Sequence, residues 1–426
     1  MQRERALSLT IQVLYVVFLT SLVCTFRAVS SMSIGLILLT GIIKNKSGLR
    51  TFFHLNLKNS FLAGCFLLFL IHLIALLYTQ NINEGWNDIR LSSGLLFIPL
   101  AVCFTNDITN EIKEKLLIYY CLIVSAASLY CLVRALTHYF HSGDLSSLFY
   151  HSLVRPLKHH AVYYSILVFI GLAFLLEILA KNIAPVKRYF YTSIVIFLSG
   201  FLFLLSSKLV LAFYTLYLVY FFVRLVKGRP VNRALITGLL ILFVLLGWLT
   251  LATTNPVSKR FYDITKGNIS IVSQEKFDPG MYFNGVQFRL LQWKFTGEIL
   301  NETNSWLTGV SPGDARYFLD QKYLSTKMYT GDPARGDTGF LGYNTHNQFL
   351  QTFLEIGIAG LAVLCLICIT LARTARKKKR ILLNSVIILL LAWFFTESVL
   401  ETQTGIMIFT FFPLFLSFGE NEGSGH

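Results

Sequence analysis

Apolar residues run through this chain in blocks of about 18 to 25, the length that spans a hydrocarbon core roughly 30 Å thick. The blocks fall near 9–26, 28–43, 60–78, 91–104, 116–140 and 161–180, then 189–206, 208–226, 234–252, 347–372, 381–399 and 404–418. This pattern predicts an all-α polytopic membrane protein with about 12 transmembrane helices. The first block lacks a small-residue cleavage site and is soon followed by a second, so it reads as a retained helix. The expected organisation is therefore helices 1 to 9 within 1–252, a large, partly helical polar loop at 253–346, helices 10 to 12 within 347–418, and a short tail at 419–426.

Composition agrees: 54% of residues are hydrophobic and 14% charged, far from the balance of a soluble domain. Charge adds orientation. Short cytoplasmic loops are enriched in Lys and Arg, and alternate connections here carry Arg3 and Arg5, Lys44 to Lys58, Lys113 and Lys115, Lys181 to Arg188, Arg224 to Arg233, and Arg373 to Arg380. Both termini are expected in the cytoplasm and 253–346 outside. The net charge of +15 then reports topology, and no motif or basic soluble domain points to nucleic acid. The seven cysteines lie in or beside apolar blocks, Cys365 and Cys368 included, and read as small hydrophobes. No metal ligand set or cofactor motif is expected.

Two outer regions carry candidate chemistry. Within 253–346, Arg289 to Leu300 repeats apolar residues at helical spacing and predicts an amphipathic helix at the outer interface, followed by turns at Gly309, Pro312-Gly313, Gly331 and Gly336. The connection 141–160 holds Arg155, Lys158, His159 and His160; the two histidines are expected to begin a helix. With Arg134, Lys208, Arg27 and Arg90 near other outer ends, these cations suit a polyanion at the membrane rim. Snorkelling to lipid headgroups is the competing reading for each one.

At Asn344 to Leu361 a polar loop becomes a membrane helix. Asn344 or Thr345 can cap it, which puts His346 in its first turn, where a neutral imidazole is usable as a base. Asn347, Gln351 and Glu355 line one face, and Glu397 and Glu401 end the next helix on the same side. A polar stripe is costly against lipid, so it is expected to face the bundle interior.

The pattern His-Asn-x-Phe-Leu-x-x-x-x-Glu-x-Gly-x-x-Gly-Leu at His346 to Leu361, preceded by Arg289-x-x-x-Trp293 and the Gly309 to Gly313 turn, resembles the O-antigen ligase family of bacterial membrane glycosyltransferases. That family includes O-antigen polymerases and protein O-oligosaccharyltransferases. The resemblance implies a GT-C-like enzyme of the inner membrane. It would move a glycan from undecaprenyl diphosphate to an acceptor hydroxyl, lipid A-core for a ligase, on the periplasmic face. It implies inversion at the anomeric carbon, no metal or cofactor, and the donor, the acceptor and membrane lipids as partners. His346 stands at the position of the family's essential histidine and Arg289 is the second expected catalytic residue. Arg155, Lys158, Lys208 and Arg134 would hold the diphosphate, with Asn347, Gln351, Glu355, Glu397 and Glu401 in support; which carboxylate orients His346 stays open. Lys208 departs from the family, which often has Arg there, and Lys binds phosphate as a point charge without a bidentate fork. One dominant outer loop favours ligase over polymerase. The alternative from another class, a polytopic lipid or sugar transporter, predicts internal repeats, and none is clear between the halves.

Overall fold

The computed structural model describes all residues except 1, 45–59, 107, 182, 227–267 (apart from Gly238 and Ile241), 333, 335 and 419–426. The apolar blocks are helices: α1 (Gln2–Val23), α2 (Arg27–Lys44), α3 (Ser60–Ala75), α4 (Ile82–Ser92), α5 (Gly94–Phe104), α6 (Asn110–Ser142), α7 (Ala161–Leu179), α8 (Pro185–Leu205) and α9 (Lys208–Val226). After the loop come α12 (Gln348–Lys378), α13 (Ile381–Phe394) and α14 (Gln403–Ser417); within it lie α10 (Gly285–Glu302) and α11 (Pro312–Ser325). Among the described residues seven segments are long and apolar enough to cross a membrane, α4 and α5 together making one of them, and α3, α13 and α14 are shorter apolar helices. The expected span 234–252, the start of the loop, the basic residues Lys46, Arg50, Lys58, Lys227, Arg229 and Arg233, and the tail lie outside the described residues.

The centre of the bundle is α7, in which every residue but Glu177 is buried. A helix apolar all round has to be surrounded, and α6, α8, α9 and α13 pack on it. Near its C-terminal end Glu177 pairs with Arg224 of α9 at 2.9 Å. A second layer joins α3 to α12 and α5 to α2 and α14, closed by aromatic contacts such as Phe61 with Phe409.

The loop has its own core, and here the expectation is corrected. Helix α10 is not spread on an interface: its apolar face, Phe288, Leu291, Phe295 and Ile299, is buried with Leu319 and Tyr323 of α11, Met328 and Leu354. A neighbouring helix supplies the apolar partner that the bilayer was expected to provide. Its start is a capping box, Asn284 Oδ1 accepting from the Gln287 amide at 2.9 Å while Gln287 Oε1 accepts from the Asn284 amide at 2.9 Å. Turn-like Pro312-Gly313 is in fact the first turn of α11, since proline loses nothing where helical N–H groups have no partner.

Two glycines lock this small domain to the bundle. Helix α12 breaks at Ile356 and Gly357, the latter at φ +65°, which frees the carbonyls of Leu354 and Glu355. The loop takes them: Val310 N–H donates to Leu354 O at 2.8 Å, Ser311 N–H to Glu355 O at 3.0 Å, and Ile358 N–H to Trp306 O at 3.1 Å. A Cβ on Gly309 would lie 2.3 Å from the Glu355 carbonyl carbon, and one on Gly357 would lie 2.1 Å from Leu307 O. Asp314 adds a second clamp, accepting from the amides of Gln80 (2.8 Å) and Asn81 (2.9 Å) and from Ser311 Oγ (2.8 Å), so the α3–α4 connection is fixed to α11.

Candidate functional site

The chain reverses at Tyr343 to Asn347 to enter α12, and this places His346. Asn347, rather than Asn344 or Thr345, is the cap: its Oδ1 accepts from the amides of Phe349 (3.0 Å) and Leu350 (3.1 Å). His346 therefore stands one residue before the cap and outside the first turn, in a left-handed conformation with φ 47°. Asn344 Oδ1 accepts the His346 amide at 3.1 Å, and Thr345 is anchored by its amide to Gln351 Oε1 at 3.1 Å and by its hydroxyl to Asn347 O at 2.9 Å. The strain of that conformation is held by these local bonds, and it turns the ring away from the helix.

The ring meets Glu397, which lies in the turn after α13 rather than on it. His346 Nδ1 is 3.0 Å from Glu397 Oε2, and Arg289 Nη2 is 3.2 Å from Glu397 Oε1. Arg289 reaches there because its Nε and Nη2 also donate to Thr396 O at 3.2 and 3.1 Å and its Nη1 to Gly285 O at 3.0 Å. A carboxylate beside Nδ1 fixes the proton on that nitrogen and leaves the lone pair on Nε2. The side chains of His346, Arg289 and Glu397 are 23%, 31% and 13% exposed, so imidazole and guanidinium are reachable while the carboxylate is largely covered. Burial opposes ionisation of Glu397, but the His346 hydrogen bond and charge, aided by Arg289 and His160, outweigh it and hold this carboxyl below its ordinary range.

Glu401, four residues on, is pushed the other way. It ends a short 3-10 turn, half-buried and facing Glu355, and desolvation, with the charge of Asp88 adding to it, raises its pKa. Gln351 donates to Glu355 Oε1 at 2.7 Å, while Asp88 is matched by His72 at 2.8 Å. A cavity of about 350 Å³ opens between these groups, lined by Asp88, Arg316, Tyr343, Asn344, Glu355 and Glu401. Beside it runs a cleft of about 580 Å³ between α2, α5 and α14, with Arg27 and Arg90 on its rim, Ile34, Phe97 and Ile406 along it, and Glu401 and Thr402 shared with the cavity.

The structure gathers some of the expected residues and leaves others apart. His346, Arg289 and Glu397 form one bonded set; Gln351, Glu355 and Glu401 line the adjoining cavity; Asn347 caps the helix. Arg155 and Lys158 bound an exposed 3-10 turn, Lys158 at φ 54° on the edge of a second apolar cleft of about 680 Å³ with Phe26, Ile123 and Leu157. Arg134 is exposed on the C-terminal half of α6, and Lys208 is the first residue of α9. Among the described residues Arg134, Arg155 and Lys158 make no ion pair with Glu397. His160 is the N-cap position of α7, so the two histidines do lead into a helix, and burial pushes His159 down to about 4. Sequence reasoning missed Asp88, His72, Asp314 and Tyr343; of these only Asp314, in the first turn after a proline, carried a local signal.

Comparison with known proteins follows from residues 193–365, which match the family model described as O-antigen ligase. That stretch contains Arg289, the Gly309 to Gly313 turn and His346. No curated protein matches the chain.

Proposed function

We propose that this membrane protein, whose residues 193–365 match the O-antigen ligase family model, is a glycosyltransferase of that family and transfers a glycan from an undecaprenyl-diphosphate-linked donor to an acceptor hydroxyl, as an O-antigen ligase acting on lipid A-core. The observation that carries the reading is the His346–Glu397–Arg289 set, standing where the loop meets the bundle with the imidazole partly exposed.

The acceptor hydroxyl approaches Nε2 and gives up its proton as its oxygen attacks the anomeric carbon. Glu397 holds the tautomer and stabilises the imidazolium that forms, an arrangement worth about 10²- to 10⁴-fold in rate. Arg289 anchors Glu397 and leaves part of its guanidinium exposed to the departing lipid diphosphate. That leaving group carries its own charge away, so cations suffice and no acid is needed. Arg155, Lys158, Lys208 and Arg134 are proposed to steer the diphosphate from the bilayer edge. Attack opposite the leaving group inverts the anomeric carbon. Asn347 and Gln351 act through the backbone of residues 345 to 350 and keep His346 in place. The proposed setting is a bacterial inner membrane, with the loop in the periplasm and the termini in the cytoplasm.

Reconstitution tests the reading: purified protein, a lipid-diphosphate glycan, and either lipid A-core or a second donor molecule as acceptor. Transfer to core that is lost in His346→Ala supports a ligase; extension of the donor glycan instead identifies a polymerase. Full transfer by both His346→Ala and Arg289→Ala removes the proposed site.

A further inference from the structure

The end of the bundle opposite His346 holds a charged cavity that the proposed reaction does not use. Helix α12 runs from Gln348, near His346, to Lys378. At that far end the start of α6, the ends of α7, α9 and α14 and the turn from α12 to α13 surround about 500 Å³. Both carboxylates of the lining are matched: Glu114 accepts from Lys181 at 2.6 Å, and Glu177 accepts from Arg224 at 2.9 and 3.1 Å. Each pair is neutral, so the charge of the cavity is that of Lys113, Lys379 and Arg380. Lys113 is the residue that calls for a ligand. It is 8% exposed, and its Nζ has no hydrogen-bond acceptor among the described residues. Arg380 and Lys378 stand near enough to repel it. The Phe418 ring, 5.9 Å from Nζ, offers π density but no lone pair. Snorkelling would carry the amine out to water, and this one is covered. A buried ammonium without an acceptor is costly, and an anion removes that cost.

The walls decide which anion. Arg380 Nη1 donates to Leu416 O at 3.1 Å, which fixes the guanidinium on the cavity wall, and the flexible stem of Lys113 lets its amine turn from Phe418 into the space it lines. Beside these cations Phe174 and Ile178 of α7, Leu382 of α13 and Leu416 of α14 give the cavity an apolar side. A soluble phosphate leaves that side bare, whereas an acyl chain covers it. In the orientation expected from the basic residues this end faces the cytoplasm, where basic pockets between membrane helices take up anionic headgroups. We propose that this cavity binds an anionic phospholipid, its phosphate oxygens accepting from Lys113, Lys379 and Arg380 while an acyl chain lies along Phe174, Ile178 and Leu416. The inference rests on the membrane placement of the helices and is independent of the glycan-transfer reading.

The test titrates full-length protein in detergent with phosphatidylglycerol, phosphatidylethanolamine or soluble glycerol phosphate and reads the adducts by native mass spectrometry. Phosphatidylglycerol is expected to bind with a Kd about tenfold or more below that of phosphatidylethanolamine, and glycerol phosphate not to displace it at equal concentration. Two variants probe the cavity. Lys113→Met removes the buried charge at similar length, and Lys379→Glu reverses a charge at an exposed position and leaves the buried side chains intact. Each is expected to raise the phosphatidylglycerol Kd about fivefold or more. Lys158→Gln, before the other end of α7, is expected to leave that Kd unchanged. Equal affinity for the two lipids, or a Kd that either cavity variant leaves unmoved, overturns the site. Displacement by glycerol phosphate at equal concentration makes the ligand a soluble phosphate and overturns the lipid assignment. A loss in Lys158→Gln as large as in Lys113→Met shows attraction by overall charge and overturns it as well.

Discussion

Glu397 and Glu401 are the same side chain one helical turn apart in sequence, both partly covered by protein, and the fold shifts their pKa values in opposite directions. Glu397 has a histidine and an arginine as neighbours and its pKa is lowered; Glu401 has the charge of Asp88 adding to its burial and its pKa is raised. Burial acts in the same direction on both, so the partners make the difference. Paired carboxyls driven apart in this way mark different roles in proton transfer. The His346 corner supports a base, and the Glu355 corner holds Glu401 beside a second carboxyl.

The largest expected effect falls on the first corner. His346→Ala should lower kcat for glycan transfer by about 10²- to 10⁴-fold with unchanged helicity, as read by product formation and circular dichroism. Glu397→Gln should lose a large part of the same factor, since an amide can hold the ring but does not stabilise imidazolium; if Glu401→Gln costs kcat as much, the contrast between the two carboxyls is broken. Next is Gly357→Ala, which combines a left-handed backbone with overlap on Leu307 O and should destabilise by more than the roughly 1–3 kcal/mol of the strain itself, measured as a lower midpoint of thermal unfolding in detergent. Arg289→Lys is expected to lower transfer about tenfold, because an ammonium cannot bond Thr396 O and Glu397 together in the guanidinium geometry.

The smallest effect has the clearest sign. The lowered pKa of Glu397 contributes stability that is present above the unfolded carboxylate pKa and is lost as pH falls through the folded value. The raised pKa of Glu401 contributes stability that is fully present below the unfolded value and is lost as pH rises through the folded one. Thermal midpoints against pH should therefore lose their acid-side decline in Glu397→Gln and their alkaline-side decline in Glu401→Gln. Identical profiles for the two variants would falsify the opposite assignment.

The sequence made the helices legible because each needs only its own apolar block, and from Arg3 to Arg380 the basic residues supplied an orientation. It made His346 and Arg289 legible through a pattern, and it narrowed the partner of His346 to three carboxylates without choosing among them. The choice depended on the turn after α13, where Phe394 ends the helix and brings Glu397 rather than Glu401 to the ring. The core of α10 and α11 was missed for the opposite reason: its apolar face could be read, but whether lipid or protein covers it is a tertiary fact. Likewise the Asp88–His72 pair and the Asp314 clamp join segments whose partners lie far along the chain or have no local pattern. The Gly309 and Gly357 motifs were legible as resemblance and gain a physical reason only in contact with each other.

That contact has a kinetic consequence. The amides of Val310, Ser311 and Ile358 close on carbonyls across the break in α12, so none can open to water without the others losing their register. Their hydrogen exchange should proceed as one event at one rate, slower than that of the exposed turn at 336–339, and the N-terminal part of α12 should report every departure of the loop from the bundle.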